Sequence, residues 1–163
     1  MGTKKYLIDT NAAIDYLGEL MPEKALQFMD KVVDNEYYIS VISKIELLGF
    51  THLSQSDEQK IQLLLDSSCI IELTNDIVDK TIEIRKKIKM KLPDAIIAAT
   101  ALAHKLILIS RNLKDFDKLQ NIKHKDDLVS IRSEIRDKSE SFTDEQKMIL
   151  SDLYREMLVK LEG

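Results

Sequence analysis

Five positions in this chain set acid or amide chemistry against an apolar run: Asp9, Glu46, Asp94, Asn112 and Asp115. Asp9 closes YLID, where Tyr6-Leu7-Ile8 reads as a buried strand, and Thr10 and Asn11 follow at once. Glu46 lies in SKIELLG, Asp94 in LPDAIIAATA, and Asn112 and Asp115 in LISRNLKDF. Taken singly, each acid has an ordinary structural use. Asp9 would cap a helix, Glu46 would be a surface glutamate, and Asp94 would be a first-turn acid stabilised by the helix dipole by about 0.3–1 kcal/mol. Asp115 would end a turn before Phe116. Gathered together they pose a different problem, because two unit charges roughly 5 Å apart repel by about 3 kcal/mol at an effective dielectric of about 20. A divalent cation removes that cost. All-oxygen ligands without His or Cys select hard ions, Mg2+ or Mn2+.

Whether the acids meet depends on the elements that carry them. Hydrophobic periodicity predicts strands and helices in alternation. Strand one spans Lys5 to Asp9, a helix runs from about Asn11 to Gly18, and another follows Pro22. YYIS, Tyr37 to Ser40, is a short strand, and VISKIELLGF is a helix with Ile42, Ile45, Leu47 and Leu48 on an apolar arc. DEQKIQLLLD reads as a helix and CIIELT as a strand. A long helix capped by Thr74 or Asn75 carries Ile77, Ile84 and Ile88. LPDAIIAATALAHK is a helix with proline in its first turn, where the missing N–H costs nothing. LILIS, Leu106 to Ser110, is a strand. Strands this apolar are covered on both faces, which implies a parallel sheet between layers of helices. Helices leave such a sheet at its carboxyl edge, so all five positions can converge there, where open α/β sheets bind ligands.

Composition excludes several alternatives. At 163 residues the chain is one domain, or one domain with an appendage, and needs no disulfide to fold. The single cysteine, Cys69, reads as a small core residue, and His52, His104 and His124 lack zinc-site spacing with it. The four glycines form neither GxGxxG nor a P-loop, so no nucleotide cofactor is expected. MGTKKYL lacks a signal-peptide core and no apolar run approaches membrane-spanning length, so the expectation is a cytoplasmic protein away from membranes. The net charge is −4, yet RKKIKMK, Arg85 to Lys91, places five cations in seven residues just before Asp94. A solvated helix end explains them blandly; a local positive field for an anionic partner is the functional reading. Asp15, Asp30 and Asp117 read as solvated.

YLIDTN, SKIELLG, LPDAIIAATA and LISRNLKDFDKL, in this order and spacing, resemble the four acidic motifs of PIN-domain ribonucleases, especially the VapC-type toxins of bacterial toxin–antitoxin pairs. The resemblance covers about residues 3 to 120. It implies a PIN-like three-layer α/β/α fold with about five parallel strands, Mg2+- or Mn2+-dependent RNA cleavage leaving 5′-phosphate and 3′-hydroxyl ends, a homodimer, and a cognate antitoxin. Asp9, Glu46 and Asp94 fall on the three most shared acids, as metal ligands and catalytic groups. Thr10 and Asn11 match the polar pair that orients the first acid or binds water and phosphate. Asn112 stands where many relatives carry an acid, and Asp115, three residues on, is the fourth candidate catalytic and metal-site residue, read as contributing through water or substrate; this departure leaves a second metal open. Arg111, Lys89 and Lys91 are candidate phosphate contacts.

Two rival readings belong to other classes. A PIN-like module that no longer cuts would bind RNA or protein without a specific Mn2+ site. An aspartate-nucleophile phosphatase also begins with a strand-end Asp, but needs a second Asp where this chain has Asn11. The PIN domain is expected over residues 1–125. Residues 126–163 read as an extension of two amphipathic helices, with Leu128, Ile131 and Ile135 on one stripe and Ile149, Leu153, Met157 and Leu161 on the other. Their expected role is self-packing or dimerisation.

Overall fold

Leu7 and Ile8 are adjacent in sequence and fully buried, yet they belong to two different cores. Successive side chains of a strand point to opposite faces, so a strand buried at both positions must lie between two layers. In the computed structural model, which describes residues 4–112 together with Phe116 and Leu119, that strand is β1 (Tyr6–Ile8). The elements then run α1 (Thr10–Leu17), α2 (Glu23–Val33), β2 (Tyr37–Ser40), α3 (Val41–Leu48), α4 (Gln55–Ser67), β3 (Cys69–Ile71), α5 (Asn75–Lys87), α6 (Leu92–His104) and β4 (Ile107–Ile109).

The described strands form one parallel sheet in the order β3-β2-β1-β4. The first three strands progress in one direction and β4 returns to the far side of β1. The carboxyl ends of β1 and β4 therefore flank the point where strand order reverses. One core packs Leu7 and Leu108 against Ile77, Ile84 and the alanine-rich Ala95–Ala101 stretch of α6. The other packs Ile8, Ile39, Ile107 and Ile109 against Ala12, Met29, Leu47 and Leu64. This is the three-layer α/β/α arrangement expected, with four strands among the described residues rather than about five. Among those residues no helix is long and apolar enough to cross a membrane. The expected C-terminal helices, residues 126–163, and Asp115 and Asp117 lie outside the described residues.

Local chemistry explains most boundaries. Asp9, Ser40, Ser54 and Thr74 each cap a helix by accepting from a backbone N–H one to three residues on. Asp9 capping starts α1 at Thr10, one residue earlier than periodicity alone suggests. Between α5 and α6, Ile88 packs against the core and Met90 is buried, while Lys89 and Lys91 point outward.

Two expectations are corrected. Cys69 is exposed, because it opens the edge strand β3, where only the last residue, Ile71, is fully covered. The apolar arc of α3 is not all inward: Leu47 has no exposure, whereas Ile45 and Leu48 are 62% and 50% exposed. Their places on the inner face are shared by Ser43, which is buried. Since β1 lies between both cores, Ile8→Ala should destabilise the protein by about 2–5 kcal/mol in urea unfolding, whereas maleimide should label Cys69 in the native state without changing the unfolding midpoint.

Candidate active site

Register brings the two halves of the site together. Ile8 pairs with Ile109, and the next rung is formed by the Asp9 N–H donating to the Ile109 carbonyl at 3.0 Å. Asp9 and Ser110 therefore leave the sheet side by side. Asp9 is only 2% exposed, and each of its carboxylate oxygens accepts one hydrogen bond: Oδ1 from the Thr10 N–H at 2.8 Å, Oδ2 from the Ser110 hydroxyl at 2.6 Å. Both donors are neutral. They fix the carboxylate's orientation without cancelling its charge.

Other acids add to that charge. Burial pushes the Asp9 carboxyl up to about 6 despite the Ser110 and Thr10 hydrogen bonds, with further upward contributions from the negative charges of Asp94 and Glu46. Glu46 is raised chiefly by burial and also by Asp94, while its bond from Thr10 opposes the shift. The three acids read from sequence thus share one electrostatic neighbourhood. Asp94 comes to it from the third position of α6, after the unassisted cap at Lys91 and proline in the first turn. There the helix dipole also favours a negative charge.

Glu46 is held from α1. The Thr10 hydroxyl lies 2.9 Å from that of Ser43 and also donates to Glu46 Oε2. With one proton to give, Thr10 suits a chain in which Ser43 donates to Thr10 and Thr10 to Glu46. Asn11, half-buried, is the second residue of α1. Asn112 is half-buried beyond β4, and its N–H donates to the Ser110 hydroxyl at 3.1 Å. Lys89 and Lys91 are exposed on the approach to α6.

Asp15 was expected to be solvated, but it is 7% exposed and paired with Arg111, Nη1 to Oδ2 at 3.0 Å. The reason is its place on α1, on a face turned toward the loop after β4. Sequence reasoning also passed over Ser43 and Ser110. Ser110 did carry a signal: like Asp9, it is a polar residue closing an apolar strand.

Among the described residues no group of three His, Cys, Asp or Glu side chains closes on one point as a finished metal cage would. The donors are all carboxylate oxygens, with a buried anion at their centre. That set fits magnesium, which takes one or two carboxylates and fills its remaining positions with water and substrate phosphate.

An open parallel sheet with acids gathered at its reversal point defines an α/β protein of the class that binds ligands at the carboxyl edge of its strands. The comparisons agree. The PIN domain profile matches residues 6–122, and the chain belongs to the PIN domain family. Among solved structures it is similar to a toxin–antitoxin complex from Klebsiella pneumoniae, at 37% identity and a TM-score of 0.58 over 68% of this chain and 89% of that one. VapBC2 from Rickettsia felis bound to a promoter DNA fragment matches at 21% identity and a TM-score of 0.62, covering 72% of this chain and 94% of that one. VapBC-1 from nontypeable Haemophilus influenzae matches at 23% and 0.59, covering 72% and 93%. These two likenesses concern the fold. Among curated proteins nothing matches significantly.

A carboxyl raised on folding binds its proton more tightly in the native state, so its contribution to stability is lost as pH rises. For Asp9 the native protein is penalised fully above about 6 and not at all below its ordinary 3.8. That rise corresponds to on the order of 3 kcal/mol. Asn can keep the Thr10 N–H on its carbonyl and donate its amide to Ser110. Asp9→Asn should therefore raise the melting temperature in chelator at pH 8, with the gain shrinking toward zero as pH falls to 4.

Proposed function

We propose that this chain is a magnesium- or manganese-dependent endoribonuclease, the toxin of a toxin–antitoxin pair. The observation that carries the reading is the Asp9 carboxylate, buried, fixed by neutral donors and surrounded by the like charges of Glu46 and Asp94. Asp9, Asp94 and Glu46 would hold the ion, with Asp115 contributing through water or substrate. A bound ion of this kind lowers the pKa of water and stabilises charge developing on a phosphodiester. The protein's own part is orientation: Ser110 and the Thr10 N–H aim Asp9, and the Thr10 hydroxyl aims Glu46. Asn11 and Asn112 would offer amide donors to phosphate oxygens. Lys89 and Lys91, held outward by Ile88 and Met90, would track the backbone of single-stranded RNA without reading its sequence.

The likeness to the Klebsiella pneumoniae complex supports an antitoxin partner for this chain, and family resemblance supports a homodimer working in the cytoplasm. Residues 126–163 would serve as an appended helical segment of that particle. The open spacing of the acids also suits a silent PIN-like module that binds RNA or protein without cutting. Manganese titration separates the two, since a silent module shows no saturable site.

Purified protein should cut single-stranded RNA with Mn2+ or Mg2+ and not with chelator, and Asp9→Ala should lower the rate at least about 100-fold with an unchanged circular dichroism spectrum. Retained metal-dependent cleavage by Asp9→Ala would overturn the assignment. Replacing Lys89 and Lys91 together by Gln should lower the slope of log affinity against log salt by about 1.4, the loss of two single-strand phosphate contacts.

A further inference from the structure

Arg111 follows Ser110 directly, and its side chain folds back onto α1. Its Nη1 lies 3.0 Å from Oδ2 and 3.2 Å from Oδ1 of Asp15, straddling the carboxylate. The Asp15 side chain keeps 9% of its surface exposed and Arg111 34%, so the acid is the buried partner.

The neighbours on either side give the contact its meaning. Ser110 donates to Asp9 Oδ2 and accepts from the Asn112 N–H, so its hydroxyl is aimed by where the Asn112 backbone stands. Arg111 is the residue between them. Asp15 lies on α1, the helix that Asp9 caps and that carries the Thr10 hydroxyl to Glu46. The turn after β4 is thus tied to α1 twice, by Ser110 to Asp9 at the start of the helix and by Arg111 to Asp15 further along. One tie fixes a separation. Two ties also fix the rotation of the turn about α1.

We propose that the Asp15–Arg111 ion pair is a positioning device, locking the turn Ser110–Asn112 against α1 so that the Ser110 hydroxyl stays on Asp9. Its catalytic consequence rests on the nuclease reading; its structural consequence does not. With its acid buried, the pair adds little net stability once desolvation is counted, and its most defensible use is to specify one arrangement. Asp15 agrees with that view, since burial holds its carboxyl at about 6 even with Arg111 alongside. Arg111, expected from sequence to meet phosphate, is here a residue that acts through Ser110.

The test uses the full chain without metal. Asp15→Asn removes the buried charge and leaves Arg111 partly exposed to water, so folding should survive. Amide hydrogen exchange at Asn112 should quicken at least about tenfold in Asp15→Asn, while amides of β2 change less than about twofold. Arg111→Gln is the second variant, with the same local signature expected, and Arg111→Lys should restore most of the protection. An unchanged Asn112 rate, or quickening spread evenly over the sheet, overturns the proposal. In Mn2+-dependent RNA cleavage, Asp15→Asn should lower kcat about tenfold with KM within about twofold. If Arg111→Lys raises KM while Asp15→Asn leaves kcat untouched, Arg111 is a phosphate clamp and the proposal fails. Should wild-type protein neither bind Mn2+ nor cut RNA, the nuclease reading falls, and the exchange comparison still decides the role of the pair.

Discussion

A carboxylate removed from water and held only by neutral donors is the constraint around which this molecule is arranged. Taking an anion out of water is unfavourable unless a partner charge compensates, and the bonds to Asp9 from Thr10 and Ser110 do so only in part, since its carboxyl still rises to about 6. Glu46 and Asp94 then make matters worse rather than better. A fold selected for stability alone has simpler ways to cap α1, such as the serine that caps α3. On the nuclease reading proposed above, the excess of negative charge is half of an interaction whose other half is a divalent cation.

The sheet makes this concentration of charge possible without unfolding the protein. Strand order β3-β2-β1-β4 places β1 inside the sheet and β4 against it, so Asp9 emerges flanked by covered backbone. The two cores on either side are continuous with the strands that deliver the site: Leu7 and Leu108 to one, Ile8 and Ile109 to the other. α6 supplies Asp94 from a stretch where five of the seven residues Ala95–Ala101 are Ala or Thr without branching beyond Cβ, allowing close approach to β4. Stability is thus invested beneath the site, and the site itself can remain unfavourable.

That division also explains what could be read from residues alone. Asp9, Glu46 and Asp94 were legible because Asp9 closes an apolar strand, Asp94 lies in the first turn of a helix and Glu46 lies on the short helix that leaves β2, and alternation tells where such elements gather. The three layers were legible for the same reason: LILI and YLI are too apolar for a sheet with a wet face. Asp15, Ser43 and Cys69 were not. Asp15 looks like any charged residue of a surface helix until Arg111 arrives from 96 positions away. Ser43 becomes a site residue only because Thr10 faces it across two helices. Cys69 shares its apolar neighbourhood with Ile70 and Ile71, and local sequence does not reveal that β3 is the edge of the sheet. Periodicity reports which face a residue occupies, whereas partners across a crossover are set by strand order.

The basic run from Arg85 to Lys91 shows how a surface of net negative charge can still present a local positive field. The chain carries −4 in total, which by itself would turn a polyanion away. Yet the Ile88 and Met90 side chains anchor this stretch to the core beneath α6 and leave Lys89 and Lys91 facing water, immediately before the helix that bears Asp94. The Debye length at physiological ionic strength is about 8 Å. An incoming phosphate therefore responds to the nearest few charges, not to the sum over the surface. On the proposed reading, acids at the centre hold a cation and lysines at the approach meet the phosphates of RNA, each region supplying the sign that the other lacks.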